Sequence, residues 1–157
     1  MKLIKKRRTA PKEKGPSEHT IQVNLMNYLE YGLRPELECR AIPNGGLRKK
    51  SVAIKLKAEG VKAGTPDLFV TLDHGRIGWL EMKNAKGRLL PEQERFRDKV
   101  LALDHFWAMA KSVKEALIIL TGWDALREEF MVHEGQELDE ENEYRVYANT
   151  HPAGAHF

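Results

Sequence analysis

The sequence predicts an α/β domain in which a small mixed β-sheet is flanked by helices. Three observations carry that expectation. The apolar pattern alternates between helical and strand spacing in the order α-β-α-β-β-α-β-α. Residues 64–83, GTPDLFVTLDHGRIGWLEMK, read as a hairpin that is largely apolar on both faces, as in a central sheet with helices on each side. A chain of 157 residues is long enough for one domain with a real core, and not comfortably for two.

Each element follows from local chemistry. Residues 1–16, MKLIKKRRTAPKEKGP, lack apolar periodicity and end in Gly-Pro, so they are expected to form a basic flexible arm. Ser17 is a suitable N-cap for a helix whose Ile21, Leu25 and Leu29 make one buried stripe. A short strand follows at 37–42, LECRAI, then a turn at Pro43-Asn44-Gly45-Gly46. A basic helix at 48–59 stops at Gly60. After the hairpin, Pro91 suits the first turn of a helix reaching about Leu103, and FWAMA at 106–110 is another strand. Ser112 with Glu115 reads as a capping box for a last helix carrying Leu117 and Leu120. The pattern weakens beyond Leu126, although YRVYA at 144–148 has the composition of a late strand. The expected organisation is an arm at 1–16, a domain at 17–126 and an acidic extension at 127–157.

Composition narrows the functional classes. Apolar residues make up 41% and charged residues 31%, as in soluble globular proteins. No run of about 18 apolar residues exists, so no transmembrane helix and no membrane partner are expected. The basic N-terminus has no apolar stretch of signal-peptide type, which points to the cytoplasm. The lone Cys39 cannot form an internal disulfide, and the scattered histidines, among them His74, His151 and His156, have no zinc-ligand spacing. The net charge of +3 is unevenly spread: residues 1–15 carry +6, residues 33–111 another +6, and residues 112–157 carry −7. Basic segments of this kind are common in proteins that bind nucleic acid, and equally suit a solvated surface.

The hairpin concentrates the chemistry. With Asp73-His74-Gly75 as a three-residue loop and Gly75 left-handed, Asp67 falls opposite Glu81 and Phe69 opposite Trp79. Directly opposed residues have Cβ atoms about 4.5–5.5 Å apart, close enough for two carboxylates to share a cation. Lys83 points to the same face, and Leu68, Val70, Leu72, Leu80 and Met82 to the other. Two carboxylates facing each other inside a covered sheet repel and are costly to desolvate, and a hard divalent cation relieves both problems. The competing reading is an ion pair of Lys83 with Glu81 or Asp67 on an exposed edge.

At Pro66-Asp67 and Glu81-Met82-Lys83 the sequence resembles the PD-(D/E)xK nuclease superfamily, with its restriction-endonuclease-like core. More narrowly it resembles the virus-type replication-repair nuclease (VRR-NUC) domains. That match rests on Glu18-x-x-Ile21-Gln22, on Pro43-Asn44-Gly45-Gly46-x-Arg48, on Gly64-x-Pro66-Asp67-Leu68, and on Leu80-Glu81-x-Lys83 with Leu90-x-x-Gln93. The resemblance spans residues 17–122. It implies a metal-dependent DNA endonuclease using Mg²⁺, with Mn²⁺ as a substitute and no organic cofactor. By the same resemblance Asp67 and Glu81 are the principal metal ligands, Glu18 completes the shell and the Met82 carbonyl reaches the metal. Lys83 stabilises the attacking hydroxide or the developing charge, and Gln93 orients water, substrate or Lys83. Stand-alone members resemble Holliday-junction resolvases, which implies branched DNA and a homodimer in phage or bacterial replication and repair.

Each residue also has a plainer reading. Glu18 suits a helix N-terminus through the dipole alone. Gln93 shares a helical stripe with Phe96, Val100 and Leu103. Asn44 and Gly45 suit a simple turn, and Arg48, Lys49, Lys50, Lys62 and Lys86 are either phosphate contacts or ordinary solvated charges. Whether Lys83 is a base or a stabiliser, and whether one or two metals bind, stays open. So do a flap, nick or duplex-end substrate, a catalytically idle nucleic-acid-binding subunit, and a structural protein with a salt-bridge network.

Overall fold

Ser17 caps the first helix as its chemistry dictates: its Oγ accepts the Thr20 backbone N–H at 3.1 Å. A computed structural model describes residues 15–43 and 50–138 of the chain. Helix α1 (Glu18–Gly32) buries Ile21, Leu25 and Leu29. Strand β1 (Cys39–Ala41) follows, then α2 (Lys50–Ala58), β2 (Leu68–Thr71), β3 (Ile77–Met82), α3 (Pro91–Ala102), β4 (Phe106–Ala110) and α4 (Val113–Gly122). The element order is the expected one. The suggested strand at 144–148 and the arm up to residue 14 lie outside the described residues. Among the described residues, no helix is long and apolar enough to cross a membrane.

The strands form one four-stranded mixed sheet in the order β1-β2-β3-β4, antiparallel except for the β3–β4 pair. Phe69 pairs with Trp79 and Leu68 with Leu80, the register set by the three-residue loop. The loop closes with Leu72 N–H on the Arg76 carbonyl at 3.0 Å. His74 (φ 61) and Gly75 (φ 71) are both left-handed, where the sequence suggested glycine alone; His is among the residues that tolerate this region.

Alternation then assigns the faces. Leu68, Val70, Leu80 and Met82 are buried against Ile21, Leu25 and Leu29 of α1 and Leu117 and Leu120 of α4. On the other face Trp79 packs edge-on against Phe96 of α3, ring centroids 4.9 Å apart. Arg97 of α3 stacks over Trp107. On the core face, Phe106 lies against Trp123 with centroids 5.9 Å apart. At α4, Ser112 Oγ accepts the Glu115 N–H, but the Glu115 carboxylate reaches Lys111 N–H rather than that of Ser112, so only half of a capping box forms.

The chain after α4 returns to the core. Leu126 bridges to Leu33, and Phe130 and Val132 are buried in the same apolar cluster as α1 and α4. Tyr28 stacks edge-on against Phe130 and donates to its carbonyl at 3.1 Å. Arg34, just past α1, joins Asp73 of the hairpin loop (2.9 Å) and Asp124 after α4 (3.0 Å), tying three loops at one end of the sheet. The opposite end, where β3 finishes and α1 and α3 begin, holds the acidic residues.

Candidate active site

Asp67 stands immediately before β2, behind the buried Pro66. Its carbonyl accepts Ile42 N–H at 2.7 Å, and its carboxylate Oδ2 accepts Met82 N–H at 2.9 Å, so both its main chain and its side chain are fixed by neighbouring strands. Glu81, on β3, is only 2% exposed and is the sole charged residue in the buried set among the described residues. Its Oε1 is held by two donors, Lys83 Nζ and Gln93 Nε2. Its Oε2 is buried without any partner among the described residues. A buried carboxylate oxygen left bare is costly unless something outside the chain completes it.

Gln93 is oriented by its own helix. Pro91 has no N–H to satisfy at the start of α3, and Leu90 N–H donates back to Gln93 Oε1 at 2.9 Å. Because that oxygen is taken as an acceptor, Nε2 must face Glu81. The resemblance suggested water, substrate or Lys83 as its target; the structure places it on the glutamate.

Glu18, in the first turn of α1, lines the same cleft. Its Oε1 accepts from the backbone N–H and from Nδ2 of Asn84, both at 3.2 Å. Thus Asp67, Glu81 and Glu18 each have one oxygen anchored by protein donors, and among the described residues no donor reaches the other. Their approach has a limit. Among the described residues, no three acids, histidines or cysteines come together as a complete metal cage. Sequence reasoning did not single out Asn84. Its only local signal was a turn-forming Asn directly after Glu81-x-Lys83.

Burial raises the Asp67 carboxyl above the usual range; Met82 N–H and Lys83 oppose the shift, and the charge of Glu18 adds to it. Burial likewise raises Glu81, opposed first by the Lys83 contact and increased by the charge of Asp67. Two acids whose ionisation is disfavoured, a bare buried oxygen and all-oxygen donors fit a hard divalent cation. Asp67 and Glu81 are the cleft side chains that could hold one.

A cleft of about 930 Å³ opens over these groups. Its walls include Ala53, Leu56 and Lys57 of α2, the loop from Val61 to Thr65, and Gln93. Lys62 lines it; Lys86 is exposed on the turn after β3, with its N–H on Asn84 Oδ1 at 3.0 Å. Asn44, Gly45, Arg48 and Lys49 lie outside the described residues, as does the Lys50 side chain at the start of α2. Cys39 takes no part: burial pushes its thiol up to about 12, and it sits beside Met26 in the core.

The chain has a VRR-NUC-like fold: it is similar to a solved structure described as a "VRR_NUC domain protein", with TM-score 0.56 and 21% identity over 70% of this chain and 89% of that one. No family model matches the sequence, and no curated relative matches it.

Proposed function

We propose that this protein is a Mg²⁺-dependent deoxyribonuclease, Mn²⁺ substituting, that hydrolyses phosphodiester bonds in branched DNA as a homodimer, in phage or bacterial replication and repair within the cytoplasm. The observation that carries the reading is Glu81: a nearly inaccessible carboxylate with one oxygen clamped by Lys83 and Gln93 and the other bare, facing Asp67 in an open cleft.

A divalent ion would be held by Asp67 and Glu81, with the Met82 carbonyl as a further ligand, and would supply a water of lowered pKa and a counter-charge for the phosphate. The chain's own groups do the rest. Lys83, its side chain 13% exposed, keeps its ammonium on Glu81 at the cleft floor, within reach of both an attacking water and a phosphate oxygen. Gln93 fixes the rotamer of Glu81, and Met82 N–H that of Asp67. Lys57 and Lys62 give the cleft wall positive charge suited to a phosphate backbone. None of these contacts reads a base, which favours recognition of DNA shape.

The test is incubation with labelled four-way junction, flap and linear duplex DNA, with Mg²⁺, Mn²⁺ or chelator, beside Lys83→Ala. Metal-dependent cleavage that falls at least about a hundredfold in the variant is expected, with paired symmetric cuts in the junction. Absence of cleavage on every substrate, with equal DNA binding by both proteins, would instead assign an idle binding subunit.

A further inference from the structure

Asn84 does two things at once. Its Oδ1 accepts Lys86 N–H at 3.0 Å, closing a side-chain turn inside the Asn84–Gly87 β-turn, where Gly87 N–H reaches the Asn84 carbonyl at 2.9 Å. With Oδ1 committed as an acceptor, the amide can only present Nδ2 outward, and Nδ2 meets Glu18 Oε1 at 3.2 Å. The Asn84 main-chain N–H donates to the same oxygen at the same distance. A residue 66 positions from Glu18 in sequence therefore grips one oxygen of that carboxylate, on a side chain that lines the cleft.

The three acids of the cleft are handled alike. Met82 N–H anchors Asp67, Lys83 with Gln93 anchor Glu81, and Asn84 anchors Glu18. We infer that Asn84 is a positioning residue: through its side-chain amide it sets Glu18 as the outer carboxylate of the Asp67–Glu81 cation site. This rests on the metal-dependent reading above. Glu18, lining the same cleft as Asp67 and Glu81, acts on the cation by its charge and through bound water. Its charge is already felt there, as one cause of the raised Asp67 carboxyl.

The alternative role of Asn84 is closing the turn, and two substitutions separate the roles. Asn84→Ser keeps an oxygen that can accept Lys86 N–H but withdraws the amide from Glu18; Asn84→Ala removes both. Mn²⁺ is titrated calorimetrically into the full chain without DNA, with Glu18→Gln and Glu18→Gln/Asn84→Ser alongside. The expected result is Mn²⁺ affinity about tenfold weaker in both Asn84 variants, weaker also in Glu18→Gln, with no further loss when Asn84→Ser is added to it. Near-native affinity in Asn84→Ser with loss only in Asn84→Ala would assign Asn84 to the turn and overturn the inference. So would native affinity in Glu18→Gln, or an equal loss from Asn84→Ser with and without Glu18. Failure of the native chain itself to bind Mn²⁺ would overturn the metal-dependent reading, a result distinct from the other three.

Discussion

Burial disfavours the ionised forms of Asp67 and Glu81, and the sign of the pH effect follows. Burial raises both carboxyls, so in the ordinary carboxylate range the folded chain binds more protons than the unfolded one. Folding stability from these groups is therefore greatest below that range and falls as pH rises through it to the raised folded values. Above it, ionisation of the two carboxyls weakens the fold. Asp67→Asn keeps an oxygen for Met82 N–H while removing the charge. In chelator near neutral pH it is expected to melt higher than the native chain, on the order of 2 °C. The difference should shrink as pH falls through the raised folded range and vanish below the ordinary carboxylate range, where folded and unfolded carboxyls are both protonated. Added Mn²⁺ should raise the native melting temperature and leave that of the variant unchanged. Thermal melts across this range decide the point, and a native chain already more stable than the variant in chelator would contradict the sign.

The elements most legible in the sequence were those whose signals are local. The loop Asp73-His74-Gly75 and strict alternation on either side determine the β2–β3 register, and with it the facing of Asp67 and Glu81. Ser17 and Pro91 mark helix starts through the backbone groups they satisfy or lack. What could not be read depends on tertiary approach. Asn84 meets Glu18, and Arg34 meets Asp73 and Asp124, across long stretches of chain with no periodic trace. Phe130 and Val132 are isolated apolar residues, too few to show a pattern, yet both are core. Gly64 is another such case. Its φ is +90, and a Cβ there would lie 2.4 Å from the Glu92 carbonyl oxygen, so the loop leading to Asp67 is pressed against the first turn of α3 that carries Gln93. Gly60, with φ +94, has open space around it. Gly64→Ala combines backbone strain with a clash against main chain and is expected to cost about 3 kcal/mol or more, against about 1 kcal/mol for Gly60→Ala. Urea unfolding midpoints measure both, and equal costs would mean that the loop is free to leave α3.

Charge organises the molecule as a whole. The middle of the sequence is basic and the final third acidic, and within the described residues Lys57 and Lys62 stand on the wall of the acid-floored cleft. Carboxylates alone would repel a polyanion, so under the proposed function DNA entering this cleft would need cationic contacts on the wall as well as a cation on the floor. Each phosphate contact made by a lysine releases counterion, and the logarithm of the binding constant falls with the logarithm of salt concentration by about 0.9 per contact. Lys57→Ala/Lys62→Ala should weaken binding to DNA of any sequence and flatten that slope by roughly 1.8. Lys99→Ala, on the exposed last turn of α3 away from the cleft, should leave the slope unchanged. Binding isotherms in chelator over a range of salt separate the cases, since chelator removes cleavage and any contribution from the floor. A slope indifferent to Lys57 and Lys62 but reduced by Lys99→Ala would put the DNA on the outer face of α3, where Asp67 and Glu81 could not reach its backbone.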